Sequence, residues 1–374
     1  MNYRERFEAT VKHMEVDRVP FDLAGTSLTG MEHPDAIEKI RLFLGFTEKY
    51  DGEYQKFDER ILKYLDIDFR RVGDILSPES HLACQISENE FIDCWGITRV
   101  FTGLYWDIKK PPLKGASIAD LDKYPWPQAE KIDMNQIDMY REQAKKLYKE
   151  TDYVVCAEHP VFGVLELGCW MCGFDDFLLR MTLEPEFVIR FFDKFLDYQK
   201  KVIEIYYGAI GEYIHVTTSG DDFGTQTGPF MSPGMFEKLV KPYYKERIDY
   251  TKKFMKGYYF HHTCGSVYSL IPHLIDAGVD ILNPIQPGAR DMEPEKLKNA
   301  YGNRITFWGG IDTQHILPHG TTTEVKNEVF KVLKAISGNG GYILSPAHNI
   351  QPDVPAENII ALFNAGREYF DKKT

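Results

Sequence analysis

The hydrophobic positions of this chain form short apolar runs that alternate with longer stretches of helical periodicity. The apolar runs that predict buried strands begin at Val19, Phe69, Tyr153, Tyr213, Tyr258, Val279, Ile305 and Tyr342. Helical segments follow them, with apolar residues three or four positions apart, as in Cys169–Met181, Glu186–Tyr207 and Thr323–Ile336. Apolar strands alternating with helices predict a parallel sheet covered by helices. Eight such units favour a closed (β/α)8 TIM barrel of the α/β class, with a doubly wound open sheet as the alternative.

The N-terminal part of the chain departs from this rhythm. Helical patterns occur at Ala36–Leu44 and Asp58–Leu65, and the segment from Cys84 to Lys110 alternates between apolar and polar residues. That alternation predicts a β-hairpin excursion from the barrel. The proline-rich connector at 111–127 is too short to separate two domains, so we expect residues 1–374 to form one barrel domain.

Polar side chains follow most of the predicted strands at the point where each strand ends. In order along the chain they are Glu158, Asp222 and Gln226, His262 and Cys264, Asn283 and Gln286, Asp312, and His348. Reactive groups in (β/α)8 barrels come from these C-terminal strand ends. The pattern therefore predicts a lined pocket at the barrel mouth, although polar residues are also common in loops that have no function.

His262 and Cys264 form the sharpest candidate site. Residues two apart in an extended chain face the same way, and imidazole nitrogen and thiolate sulfur are preferred zinc ligands. His-x-Cys spacing alone also occurs in structural pairs that hold no metal. His348 occupies the equivalent strand-end position in the last unit and gives three ligands with an open fourth position, which is typical of catalytic zinc. The fifth and eighth strands are not neighbours, so the loops must lean inward.

Two further features of the sequence are candidate sites. Cys169 and Cys172 have the spacing of a redox or zinc pair, but no second pair accompanies them, which favours packed thiols. Trp95 and Tyr105 in the excursion could line an aromatic pocket for substrate.

Composition excludes several classes of protein. The chain has 56 acidic and 44 basic residues with no basic stripe, so neither nucleic acid nor an anionic membrane is an expected partner. No apolar stretch is long enough to span a bilayer. Six scattered cysteines without a disulfide rhythm favour a reducing cytoplasm.

Several motifs together resemble the uroporphyrinogen decarboxylase superfamily over nearly the whole chain. They are Arg4-Glu-Arg-Phe with Asp17-Arg-Val-Pro, Asp221-Asp-Phe-Gly-Thr-Gln226, His262-Thr-Cys-Gly-Ser266, Gly278-Val-Asp-Ile-Leu-Asn-Pro284, Phe307-Trp-Gly-Gly-Ile-Asp312, and His348-Asn-Ile-Gln351 leading into Pro355-Ala-Glu-Asn358. The chain looks most similar to the cobalamin-dependent methyltransferase branch. The resemblance implies a (β/α)8 barrel, in agreement with the strand count.

The resemblance also discriminates between activities. The tetrapyrrole decarboxylases carry an arginine-rich segment after the first strand that binds substrate carboxylates. The corresponding stretch here, 21–27, contains no arginine. A substrate with eight carboxylates needs cationic partners, so this difference argues against that activity.

The thiol-methylating relatives bind zinc through His-x-Cys and a later cysteine. Here His262 and Cys264 match the first two positions and His348 stands at the third. Two neutral imidazoles and one thiolate leave about one positive charge on the ion, which makes it a stronger Lewis acid. The resemblance therefore implies removal of a methyl group from a small O- or N-methylated substrate to the Co(I) of a partner corrinoid protein.

In this interpretation Asp222 or Glu158 supplies a proton or the fourth ligand. The residues expected to orient the substrate are Gln226, Asn283, Gln286, Asp312, Trp95 and Tyr105. Two alternatives remain open: a cofactor-free tetrapyrrole decarboxylase in which Asp222 stabilises a protonated pyrrole, and a non-catalytic corrinoid or tetrapyrrole carrier.

Overall fold

The computed structural model describes residues 1–48, 50, 57–103 and 105–372. The strands in chain order are β1 (Phe69–Val72), β2 (Cys84–Ser87), β3 (Glu90–Ile92), β4 (Thr98–Phe101), β5 (Trp106–Lys110), β6 (Val154–Ala157), β7 (Val216–Thr217), β8 (Tyr258–His262), β9 (Ile281–Ile285), β10 (Thr306–Ile311) and β11 (Tyr342–Pro346). Seven of them form a parallel sheet in the order β1-β6-β7-β8-β9-β10-β11, and β2–β5 form a separate antiparallel sheet.

Helices surround the parallel sheet and occupy the connections between its strands. They are α1 (Tyr3–Val11), α2 (Pro34–Phe43), α3 (Glu59–Leu65), α4 (Ile118–Lys123), α5 (Met134–Glu150), α6 (Val164–Cys172), α7 (Phe174–Leu183), α8 (Pro185–Ile210), α9 (Pro233–Met235), α10 (Lys241–Thr251), α11 (Ile271–Ala277), α12 (Pro294–Tyr301), α13 (Ile316–His319), α14 (Thr322–Ile336) and α15 (Ala356–Asp371). Among the described residues, every helix is too short or too polar to cross a membrane.

The segment around Phe21 joins the two edges of the sheet and completes the barrel. Phe21 forms a parallel bridge with Leu344 of β11, and the amide of Asp22 donates to the Leu344 carbonyl at 2.9 Å. On the other side, the amide of Asp68, next to β1, donates to the Phe21 carbonyl at 3.0 Å. The predicted (β/α)8 barrel is therefore confirmed, and the open doubly wound sheet is wrong.

Large apolar side chains fill the lower part of the barrel. Phe69, Phe260 and Trp308 project from β1, β8 and β10 into one buried cluster, with 4.5 Å between the ring centroids of Phe69 and Trp308. Phe7 of α1 joins this cluster and packs edge-on against Phe69. Because the N-terminal end is solid, the open space for chemistry lies at the C-terminal ends of the strands.

A buried carboxylate holds the closing segment in place. Asp68 receives hydrogen bonds at 2.7 Å from Arg6 and from Arg18, and at 2.9 Å from the Phe21 amide. The side chain of Asp68 is fully buried, so the two guanidinium groups provide the charge that compensates for its lost hydration. This arrangement ties α1 and the Phe21 segment to the edge of β1.

Two local predictions need correction. The helical pattern at Cys169–Met181 is divided between α6 and α7, because Gly173 has a φ of 93° that ends the first helix. The excursion at Cys84–Lys110 is a full four-stranded antiparallel sheet, β2–β5, and therefore larger than a single hairpin.

Candidate metal centre

His262, Cys264 and His348 come together at the barrel mouth. One ligand atom from each residue lies within 4.8 Å of the other two. The Sγ atom of Cys264 is 3.2 Å from Nε2 of His262, and the ring centroids of His262 and His348 are 5.3 Å apart. His262 is the last residue of β8, while His348 lies two residues beyond β11, and the two side chains meet across the narrow barrel.

Asn283 on the neighbouring strand determines how the His262 ring is presented. Nδ1 of His262 lies 2.6 Å from Oδ1 of Asn283, and Nδ2 of Asn283 donates to the Trp308 carbonyl at 3.1 Å. The second bond orients the amide so that its oxygen faces the imidazole. Nδ1 therefore carries the proton, and Nε2 offers its lone pair toward Cys264. Such an outer partner typically fixes the tautomer of a metal-binding histidine.

Burial keeps both imidazoles in the form that binds a metal. Burial and the neighbouring His262 lower the pKa of His348 to about 4, and burial also lowers the pKa of His262. Burial and the Asp222 carboxylate raise the pKa of the Cys264 thiol, so a bound metal would have to displace that proton. Two neutral imidazoles and a sulfur ligand fit the donor preferences of zinc.

Asp222 is the carboxylate next to this cluster. Its Oδ1 accepts a hydrogen bond from the Cys264 amide at 2.7 Å and lies 3.9 Å from Nε2 of His262. Its neighbour Asp221 has a different function, since its carboxylate accepts the Leu165 and Glu166 amides at the start of α6. Only the second aspartate of the pair is therefore available to the site.

Glu158 is buried at the barrel mouth, and both of its carboxylate oxygens have hydrogen-bond partners. Its carboxylate accepts the Ser27 amide at 2.6 Å, contacts Nδ1 of His159 at 2.6 Å and lies 3.4 Å from Arg71. Burial alone would raise its pKa, but His159 and Arg71 hold the pKa of Glu158 well below its usual range. Glu158 is therefore an ionised anchor and is poorly suited to donate a proton.

A cavity of about 350 Å³ opens beside the cluster and includes Cys264 and His348 in its wall. Its other polar side chains are Tyr105, Gln226, Gln286, Asp312, Thr313, Gln314, Asn349 and Gln351. Tyr105 lies directly before β5 of the antiparallel sheet, so the excursion forms part of the wall. Four of these residues, Thr313, Gln314, Asn349 and Gln351, were not predicted as site residues, although they follow strand ends as the predicted ones do.

Two residues expected to contact substrate lie elsewhere. Trp95 is only 3% exposed and packs against Tyr198 and Phe195 of α8, with ring centroids 4.9 and 5.4 Å away. Its prediction as a pocket residue is wrong, because the apolar face of the excursion is buried against that helix. Asn283 is fully buried and holds His262, so it is a positioning residue and does not line the cavity.

Three comparisons with known proteins bear on this site. The chain is 24% identical over 180 residues to the methylcobamide:CoM methyltransferase MtaA of Methanosarcina barkeri, a match that covers 48% of this chain and 49% of the relative. It is 32% identical over 68 residues to a uroporphyrinogen decarboxylase of Vesicomyosocius okutanii, covering 18% of this chain and 19% of that protein. The chain thus spans less than half the length of the curated relatives it matches.

A solved structure is similar to this chain over nearly its whole length. A methyltransferase from Methanosarcina mazei superposes with a TM-score of 0.68, covering 99% of both chains at 17% identity. At that identity the likeness shows the shared barrel fold. The family model for uroporphyrinogen decarboxylase (URO-D) matches residues 107–369, more than half of the sequence. The chain therefore belongs to the uroporphyrinogen decarboxylase family.

Proposed function

We propose that this protein is a zinc-dependent methyltransferase that moves a methyl group from a small O- or N-methylated substrate to the Co(I) of a corrinoid protein. The observation that carries the proposal is the convergence of His262, Cys264 and His348 beside a cavity at the barrel mouth. The relative described as a methylcobamide:CoM methyltransferase supports the choice of methyl transfer within the family.

The three ligands define what the site would supply. A zinc ion held by one thiolate and two neutral imidazoles would act as a Lewis acid toward the oxygen or nitrogen that loses its methyl group. Asn283 keeps Nε2 of His262 directed at the ligand cluster. The depressed pKa of each histidine keeps both rings neutral at pH 7, so protons do not compete for their lone pairs.

Asp222 is the residue we assign to the proton or to the fourth ligand position. Its carboxylate lies beside both Cys264 and His262, and its side chain is 44% exposed, so it can exchange a proton with solvent. Glu158 was the other candidate, but its oxygens are occupied by Ser27 and His159. We therefore assign Glu158 to holding the mouth of the barrel in shape.

The cavity would hold the methyl donor. Gln226, Gln286, Asp312 and Tyr105 line it together with the ligands Cys264 and His348, which brings substrate-binding groups and the metal cluster to one space. The corrinoid would arrive on a separate partner protein that docks over the barrel mouth. A cytoplasmic location belongs to the same proposal, because none of the six cysteines forms a disulfide.

A cofactor-free decarboxylase remains the second candidate, favoured by the 68-residue match to a uroporphyrinogen decarboxylase. In that reaction Asp222 would stabilise a protonated pyrrole. The described residues lining the cavity contain no lysine or arginine to hold a polycarboxylate, which favours methyl transfer.

The deciding experiment combines metal analysis with a methylation assay. Purified protein is expected to contain one zinc per chain and to methylate Co(I) corrinoid protein when supplied with a panel of methyl ethers and methylamines. Cys264→Ala should lose both properties, whereas Cys84→Ala, which removes an exposed free thiol, should retain them. Metal-free protein that releases CO₂ from a porphyrinogen would support the decarboxylase, and a tightly bound visible chromophore without turnover would support a carrier.

A further inference from the structure

The charge of the cavity wall restricts which methyl donor it can accept. Among the described residues that line the cavity, Asp312 is the one carboxylate, and there is no lysine or arginine. Proteins hold carboxylate and sulfonate groups mainly with arginine, lysine or clustered amides at a helix start. We propose that the site selects methyl donors without a negative charge and discriminates against donors that carry a carboxylate or sulfonate; this rests on the proposed function.

Asp312 is held at the cavity wall by its own loop. Its Oδ1 accepts the Gln314 amide at 2.6 Å and the His315 amide at 3.2 Å, just beyond β10. The neighbouring chain is fixed as well, since the Ala347 amide donates to the Ile311 carbonyl at 2.8 Å and keeps this loop beside His348. An anionic substrate would therefore enter next to a stationary negative charge, and the described wall offers it no lysine or arginine side chain to replace its lost water.

The remaining polar wall is built from neutral hydrogen-bonding groups. Five carboxamide side chains line the cavity: Gln226, Gln286, Gln314, Asn349 and Gln351. Hydrogen bonds orient the amides of Gln286 and Gln226, because Oε1 of Gln286 accepts the Gly265 amide at 2.8 Å and its Nε2 donates to Oε1 of Gln226 at 3.4 Å. The amide NH₂ of Gln226 is consequently left to donate to a substrate. Such a wall suits a neutral donor with hydroxyl, carbonyl or amide groups.

Two pairs of isosteric probes test directly how the charge of the methyl donor affects binding. 3-Methoxybenzamide and 3-methoxybenzoate differ by little more than the charge, and methoxyacetamide and methoxyacetate form a smaller pair. Binding is measured by calorimetry with metal-free and with zinc-loaded protein, and methylation of Co(I) corrinoid protein is followed by absorbance. The neutral member of a pair should bind at least about tenfold more tightly to the metal-free protein, in which no zinc charge can attract the carboxylate. Equal or tighter binding of the carboxylate in the metal-free protein would overturn the inference.

Asp312→Asn provides the matched variant, because the asparagine oxygen can still accept the two loop amides. In the metal-free variant the ratio of the affinity for 3-methoxybenzamide to the affinity for 3-methoxybenzoate should fall about tenfold from its wild-type value, and an unchanged ratio would contradict the role of the Asp312 charge. Asp249→Asn, on the outer surface of α10, should leave this ratio at its wild-type value. Preference for the neutral probe without any methyl transfer would contradict the proposed function and leave the charge inference standing. Methyl transfer from both members at equal rates would contradict the charge inference and leave the proposed function standing.

Discussion

The imidazole of His262 and the amide of Asn283 are joined by a 2.6 Å hydrogen bond from Nδ1 to Oδ1. The two residues are paired in register across the parallel strands β8 and β9. The pairing of β8 with β9 therefore sets the direction in which His262 presents Nε2. The geometry of the ligand cluster thus depends on the register of the sheet. This is a rigid support, because both residues lie inside the barrel and are nearly inaccessible to solvent.

Asn283→Ala should weaken zinc binding by about 10- to 100-fold, because the His262 ring loses the acceptor that fixes its tautomer and orientation. The affinity is measured by competition with a chromophoric chelator. Asn299→Ala, which changes an exposed asparagine on α12, is the control and should bind zinc like the wild type. An unchanged affinity in Asn283→Ala would show that packing alone orients the ring.

His348, at the third ligand position, tests the proposed Lewis-acid role of the zinc ion. His348→Cys should still hold one zinc per chain, whereas His348→Ala should lose most of it, because a thiolate can replace the imidazole as donor. The added thiolate removes about one positive charge, so we expect His348→Cys to lose at least about tenfold in the rate of demethylation. His319→Ala, at an exposed histidine of α13, is the control. Full activity in His348→Cys would contradict the Lewis-acid role.

The barrel could be predicted from sequence because its signal is local and repeated. The apolar runs at Phe69, Tyr258 and Tyr342 are bounded by breaks and followed by helical periodicity, and each proved to be a barrel strand. The run at Val19, counted as the first of the eight strands, is weaker in the structure, where only Phe21 forms a bridge. The alternation of strands and helices in the sequence was therefore sufficient to predict the barrel fold.

The details of the site depended on information that the sequence does not contain. Asn283 was interpreted as a substrate ligand because strand-end polarity does not reveal the register that pairs it with His262. Trp95, an aromatic candidate for the pocket wall, lies in the turn between β3 and β4 and packs on α8, because the sequence does not show which neighbour covers that turn. The clustering of His262 and His348 was the inference most at risk, and it holds because both side chains face the narrow barrel interior.

The buried carboxylate of Asp68 gives a prediction about stability. Asp68→Asn should lower the free energy of unfolding by about 3–5 kcal/mol, because Arg6 and Arg18 would lose the fully buried carboxylate that they share. Asp66→Asn is the matched control, since Asp66 also pairs with Arg18 but is 41% exposed, and it should cost less than about 1 kcal/mol. Both are measured by denaturant unfolding. Equal effects of the two substitutions would mean that burial does not determine the value of this ion pair.

His215, outside the metal centre, should make stability depend on pH. Its Nδ1 accepts the Val155 amide at 3.0 Å, and burial together with Arg4 lowers its pKa from 6.5 to about 4. The unfolded chain takes up the proton near pH 6.5 and the folded chain only near pH 4. The stabilisation is therefore complete above pH 6.5 and is lost as the pH falls toward 4, by up to about 3 kcal/mol.

The measurement compares variants, so that contributions from other titrating groups cancel. His215→Asn offers an oxygen in place of Nδ1 and cannot be protonated in this range, so its stability should fall less between pH 7 and 4.5 than that of the wild type, by about 2–3 kcal/mol. His319→Asn, at an exposed position, should follow the wild-type curve. Parallel curves for the wild type and His215→Asn would mean that folded His215 takes up its proton near pH 6.5, and would contradict the role given to its bond with the Val155 amide.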